Sequence, residues 1–395
     1  MSRASRLGVL AAGLVLAGAA PASADHKHGV DVDRIATGLD NPRHVAVGKD
    51  GGVYVAEAGR GGDHTTSKSC FDSPEGFACT GATGAVTRID RRHGQRRVVT
   101  GLASFAPASG NVAIGPHGVF VDGHDVYFTN GGPTAPTRGN PPQVVLRDPT
   151  LVGEEPVSEK YGKLFKLRRH GGLREIADLW RFEYENNPDA EVGNELVDSN
   201  AVDVYADRGR FYVADAGGNS ILRVGRFGGI RPVAIFPNVP TRLPDPDVDP
   251  DPIIPMQAVP TGVVKGPDGA LYVSQLTGFP FPFEGAKVFR VDPRSGAVTT
   301  YASGFTNVVD LDFGRDGKLY VLEMDADSLL GPTDQPTEGG LWVVPRRGGT
   351  PRRVKLPDDT LTHPGGIAVG RRGDLFVSNR SDEAGNGEVL KLDLR

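Results

Sequence analysis

Six short apolar runs in this chain are each preceded by a residue of restricted type: His44, Gly118, Asp203, Gly262, Asp310 and Gly366. The second and third runs align with the rest through a one-residue gap. Three of these positions carry a polar side chain able to reach a common point, and three carry none. Arg43 and His117 stand beside them. Carboxylates that converge suit a hard cation such as calcium, which takes six to eight oxygens. An imidazole among them shifts the preference towards zinc or another transition metal. A divalent metal held by His44, Asp203 and Asp310 polarises a carbonyl or lowers the pKa of bound water, with His44 as general base. That chemistry is hydrolysis of a lactone or ester. The alternative is a rigid scaffold that binds and does not react.

A second set ends a recurring phrase. Glu57, Asn130, Asp215, Gln275, Glu323 and Asn379 are all acids or amides, and each follows an apolar pair around an aromatic and a small residue. Brought to one rim, with Arg43 and His117, they make a ligand-binding mouth, and Glu57 and Glu323 add metal ligands. The alternative is local, each side chain capping its own loop by accepting backbone N–H bonds. Other chemistries lack their phrases: the sequence has no Gly-x-Ser-x-Gly, no His-Glu-x-x-His and no phosphate-binding Gly-Lys-Ser/Thr motif. Asp25-His26-Lys27-His28 offers a loose copper or nickel site at the start of the mature chain.

The phrase itself is the organising signal. It reads Val53-Tyr54-Val55-Ala56-Glu57, Val126-Tyr127-Phe128-Thr129-Asn130, Phe211-Tyr212-Val213-Ala214-Asp215, Leu271-Tyr272-Val273-Ser274-Gln275, Leu319-Tyr320-Val321-Leu322-Glu323 and Leu375-Phe376-Val377-Ser378-Asn379. Upstream of each lies an apolar strand and a Gly-containing turn, and downstream come two more alternating segments. Period-two alternation between Gly-rich turns predicts antiparallel strands. Four strands per unit and six units predict an all-β, six-bladed propeller. The last unit ends at Arg395 without a fourth strand, and Val32 to Leu39 resembles one. The N-terminal strand is therefore expected to join the last blade and close the ring, which removes a free edge. Inserted loops are expected at 58–83, 131–160, 180–199 and 237–259, all walling the face that carries the polar mouth. The last contains Pro244 to Pro252, alternating Pro and Asp, which predicts an extended, solvated segment.

Arg3 and Arg6, an apolar run from Leu7 to Ala20 and the exit Pro21-Ala22-Ser23-Ala24 predict a signal peptide over 1–24. Residues 25–395 then form a single secreted domain, extracellular and not held by a membrane. Cys70 and Cys79 are expected to form a disulfide across one surface loop. Gly and Pro supply 85 of 395 residues, which argues against a mostly helical chain, and the net charge of −5 gives no basic surface for nucleic acid. The expected state is a monomer whose partner is a small molecule or a protein.

Asp215-Ala216-Gly217-Gly218-Asn219-Ser220-Ile221 resembles an NHL repeat, and the six units resemble those of gluconolactonase-type propellers. The opening Ile35-Ala36-Thr37-Gly38-Leu39-Asp40-Asn41-Pro42-Arg43, with the exported start and long inserts, resembles the ScyD/ScyE family of secreted propellers. That resemblance implies the fold from about residue 30 onward and implies no reaction. The gluconolactonase-type metal-binding phrase Glu-x-Pro-x-Trp is replaced here by Asn41-Pro42-Arg43-His44-Val45, and neither Trp180 nor Trp342 stands in its context. A binding propeller is therefore expected ahead of a metal-dependent lactonase or esterase, with calcium the cofactor if one is held.

Overall fold

Strands of this chain are apolar on both faces because each sheet is covered on both sides by a neighbour. The computed structural model describes residues 30–394 except 68–69, 74–75, 133–136, 139–142, 145–158, 169–170, 195, 244–251 and 332–337. The signal peptide, Asp25 to His28, most of 131–160 and most of the Pro-Asp run lie outside the described residues.

Six antiparallel sheets stand in a ring. Their inner strands are Pro42–Val47, Pro116–Asp122, Ala201–Asp207, Pro260–Lys265, Val308–Phe313 and Gly366–Val369. Each is followed by the phrase-bearing second strand, ending at Glu57, Asn130, Asp215, Gln275, Glu323 or Asn379. We number the blades 1 to 6 in that order. Blade 6 takes its outermost strand, Asp31–Asp40, from the start of the chain, with Asp31 opposite Asp393 and Val32 opposite Leu392. The ring is closed as the sequence predicts.

Among the described residues the core is divided. Six apolar clusters lie one at each junction between blades. Leu39, Val55, Ala368 and Val389 fill the seam of blades 6 and 1, and Val86, Val119 and Phe128 fill that of blades 1 and 2. Leu164, Val204 and Leu222 follow, then Ile221, Val263 and Val273, then Val288, Leu311 and Val321, and finally Leu322, Ile367 and Val377. Each fully buried side chain contributes about 1.5–3 kcal/mol. Stability is thus spread around the ring.

The two ends of the ring differ. One carries the tight turns between first and second strands, where an Asp side chain accepts the N–H two residues on and a Gly follows it at positive φ. Asp50 with Gly51 (φ 82°) and Asp268 with Gly269 (φ 84°) are two instances. The other end, here the mouth face, carries the links between blades and the connections from second to third strands. The described parts of all four inserts are there. Residues 180–199 are not an open loop: Leu179–Asn186 is a helix, capped by Asp178 accepting from Arg181 N at 2.9 Å, and Pro188–Val192 is a 3-10 turn. Leu179, Trp180 and Glu183 form its buried face. Val239–Arg242 pairs antiparallel with Ile253–Met256. In the first insert Cys70 and Cys79 face each other across a short ladder and are disulfide-bonded.

Candidate functional site

Five of the inner strands share an irregularity near their start. The ladder to the second strand skips between Pro42 and Val45, Pro116 and Val119, Ala201 and Asp203, Pro260 and Gly262, and Val308 and Asp310. Such a bulge re-aims a side chain. In five blades the position concerned is His44, Gly118, Asp203, Gly262 or Asp310, and Gly366 is its counterpart in blade 6. Polar residues and glycines therefore alternate around the axis, giving approximate threefold symmetry.

The glycines are required by close approach. A Cβ on Gly118 would lie 2.6 Å from Asp203 Cα, one on Gly262 2.9 Å from Asp310 Oδ1, and one on Gly366 2.5 Å from His44 Cα. Asp203 accepts from Val204 N and from Val263 N of blade 4, both at 2.7 Å. Asp310 repeats this with Leu311 N and with Ile367 N of blade 6, both at 2.7 Å. Each carboxylate thus fastens its own blade to the next. His44 completes the triangle, with Nδ1 3.0 Å from Asp203 Oδ1, a charge contact and not an aligned hydrogen bond.

Donor atoms of His44, Asp203 and Asp310 all lie within 4.8 Å of one another, so the cluster has the size of a metal site. Its protonation argues for a different resident. Burial alone pushes the His44 imidazole down, but the carboxylates of Asp310 and Asp203 outweigh it and raise the group to about 9. Burial raises Asp310 to about 7 against the pull of His44. A protonated His44 supplies the positive charge itself. A metal fits these donors once that proton leaves, because each carboxylate oxygen held by one N–H keeps a further lone pair.

Below the cluster, towards the turn-bearing face, the channel encloses about 160 Å³, lined by all six inner strands. Phe120 and Tyr205 narrow it, with rings 5.0 Å apart, and the half-buried Asp312 is a further acid on its wall, raised by desolvation to about 6 against the N–H bonds it accepts from Val369 and Phe313. Organic ligands need roughly 300–1,000 Å³. This cavity has room for water or an ion and not for an organic ligand.

Above the cluster lies the mouth. His117 sits edge-on to His44 at 5.2 Å and meets Val202 O through Nδ1 at 2.8 Å. A carbonyl only accepts, so Nδ1 carries the proton and Nε2 keeps the lone pair. Burial, then Arg43 and His44, hold His117 well below the usual imidazole range. The free imidazole lone pair near the axis is therefore on His117, whereas His44 is protonated at neutral pH. Arg43, half-buried, donates to Ala113 O at 2.6 Å. A pair that sequence reasoning missed, His363 and Asp382, meets at 2.7 Å on the same face, and Arg43 is among the charges that hold Asp382 low. His363-Pro364 repeats Asn41-Pro42 before the inner strand; nothing marks Asp382.

The phrase-ending ring is placed elsewhere. All six side chains are buried inside the blades, the most exposed at 3%. Four accept a backbone N–H from the link entering their own blade: Asp40 N to Glu57, Asn200 N to Asp215, Thr306 N to Glu323 and Thr362 N to Asn379, at 2.7–2.9 Å. Asn130 donates weakly to Ala103 O and Gly131 O, and Gln275 Oε1 has no partner. Glu57 also holds Arg97, which reaches Asp40 at the ring seam. Among the described residues, neither Glu57 nor Glu323 joins the axial cluster.

No protein-family model and no curated protein matches the chain. Solved structures do. The pyranose dehydrogenase PQQ domain from Coprinopsis cinerea is 11% identical over 92% of this chain and 95% of its own, with a TM-score of 0.51. PQQ-bound aldose sugar dehydrogenase from Streptomyces coelicolor is 11% identical over 93% and 98%, at 0.50. A structure assigned to the gluconolactonases is 12% identical over 92% of both chains, at 0.50. These likenesses show the propeller fold. They do not transfer a reaction.

Proposed function

We propose that the protein is an exported, monomeric binding propeller of the ScyD/ScyE type that captures a small aromatic anion at the loop-walled mouth. One observation carries this reading. Twelve large apolar side chains are exposed among the described residues, and all but Val32, Phe227 and Val298 sit on the mouth face, Phe279, Phe283, Tyr184, Ile253 and Leu330 among them. Apolar groups gathered on one face mark a binding surface. The half-exposed Arg43 at the mouth supplies positive charge, and the axial cavity is too small for the ligand to enter. Export is supported by the basic and apolar start ending in Ala-x-Ala and by the bonded Cys70–Cys79 pair. Among the described residues no helix is long and apolar enough to cross a membrane. An anilinonaphthalene sulfonate probe should bind saturably, and the Phe279→Ser, Phe283→Ser double variant should weaken it about tenfold. Unchanged affinity in a folded double variant sinks the proposal.

A second reading, a metal-dependent lactonase or esterase, has the axial cluster in its favour. His44, Asp203 and Asp310 would hold the ion, which would polarise the substrate carbonyl, while His117 would take the proton that the sequence assigns to His44. Elemental analysis decides it: near-stoichiometric metal, with turnover lost on chelation, supports this reading over binding alone.

A further inference from the structure

On the turn-bearing face, the closing seam between blades 6 and 1 has valines where other seams have rings. The second strand of five blades carries a Tyr in its phrase, and Phe376 takes that place in blade 6. Each of these six rings faces the next blade. Between blades 2 and 3, Tyr127 meets Phe211 with ring centres 4.9 Å apart, and between blades 4 and 5, Tyr272 meets Phe313 at 4.8 Å. Val53 opens the phrase of blade 1 as Phe211 opens that of blade 3, and Val47 ends its inner strand as Phe313 does. Val47 and Val53 are opposite each other in the ladder. The two smaller side chains leave a groove of about 680 Å³ beside Phe376, with Ile35 and Ile89 completing its apolar lining. That is the size an organic ligand needs, roughly 300–1,000 Å³.

The rim of the groove is basic, with Lys49, Arg91, Arg371, Arg372 and Lys391. Arg371 Nη1 donates to Lys49 O across the seam at 3.0 Å, which holds the guanidinium in place with further N–H donors to spare. The acids of the lining are engaged. Asp50 accepts from Arg88 at 2.9 Å and from Gly52 N at 3.0 Å. Asp90 accepts from the N–H groups of Arg92 and His93, and Asp374 is 3.8 Å from Lys391. Asp33 is exposed on the outermost strand. The whole face leans the same way: its described turns hold thirteen Lys and Arg against five Asp, in a chain whose net charge is −5. A field of one sign draws anions to that end of the ring.

We propose that this groove binds a free long-chain carboxylate, its alkyl chain against the lining between blades 6 and 1 and its acid group on Arg91, Arg371 and Arg372. Four of the five apolar lining residues are aliphatic, which suits an alkyl chain, and guanidinium forks suit a carboxylate. The groove is at the opposite end of the ring from the mouth, so it stands whether or not the mouth takes an aromatic anion.

The test is calorimetric titration of the full secreted protein with dodecanoate below its micelle concentration, where saturable binding is expected. Val47→Phe copies the packing of Phe313 on Tyr272, should fold, and should weaken binding about tenfold or more by filling the groove. Arg371→Glu with Arg372→Glu should weaken it by about the same factor. The Phe279→Ser, Phe283→Ser variant of the mouth should bind as wild type does. Wild-type protein that fails to bind dodecanoate overturns the proposal. Unchanged affinity in the folded Val47→Phe protein or in the arginine pair does so too, as does affinity lost with the mouth variant. Capture by phosphatidylglycerol vesicles without dodecanoate binding also overturns it, and assigns the basic face to a membrane surface.

Discussion

His44 Nδ1 lies 3.0 Å from Asp203 Oδ1 across the axis of the ring, joining blades 1 and 3 where no backbone ladder connects them. With Asp310 the contact makes a buried ionic triangle whose carboxylates also clasp blades 4 and 6. The triangle holds blades that are far apart in the sequence to one radius, and so sets the width of the mouth above it.

The triangle should make stability fall in alkali. His44 is raised in the folded state to about 9 from 6.5. Its contribution is therefore complete below the unfolded value and is lost as pH climbs through the folded one. A shift of this size corresponds to roughly 3 kcal/mol. Thermal unfolding at about pH 6 and about pH 9.5 should show a larger fall in wild type than in His44→Gln. Equal falls in both proteins would show that His44 carries no such linkage.

Close approach at the axial glycines should be intolerant of a single methyl. Gly366→Ala drives a Cβ against the His44 backbone and should cost about 1–3 kcal/mol or more. Gly229→Ala, at a position with open space around it, should stay within roughly 0.5 kcal/mol of wild type. Urea unfolding midpoints of the two variants provide the comparison, and similar midpoints would mean the blades can part without cost.

Much of this was legible in the sequence, for a physical reason. The second strand of every blade is packed on both faces, so its apolar phrase recurs and betrays the count and closure of the ring. The alternation of His44, Asp203 and Asp310 with Gly118, Gly262 and Gly366 was also visible, because the bulge that turns those residues inward falls at one fixed place before each apolar run. Whether Glu57 or Glu323 faces the axis was not. That depends on where the link entering each blade passes, and there the backbone N–H groups of Asp40 and Thr306 claim the carboxylates. His363 meets Asp382 through a turn with no recurring residue type. The 180–199 insert folds in part as a helix, and only Asp178 and the inward set Leu179, Trp180 and Glu183 hinted at that.

Glu57 should prove to be a fastener of the ring seam. Glu57→Ala strands the Asp40 N–H and the Thr87 hydroxyl and removes the partner of Arg97. Arg97 keeps Asp40, so the loss should be about 2–3 kcal/mol. The midpoint of urea unfolding should fall while affinity for the aromatic sulfonate stays the same. Weaker probe binding by a folded variant would instead put Glu57 in the ligand site.

Hydrogen exchange with and without saturating aromatic sulfonate tests the placement of the ligand most directly. The account predicts slowed exchange in the mouth-face loops, 276–285 and 108–115 above all, and around Arg43 and His117. Slowing confined to the turns of the opposite face, such as 225–229, or to the outer strands would contradict it.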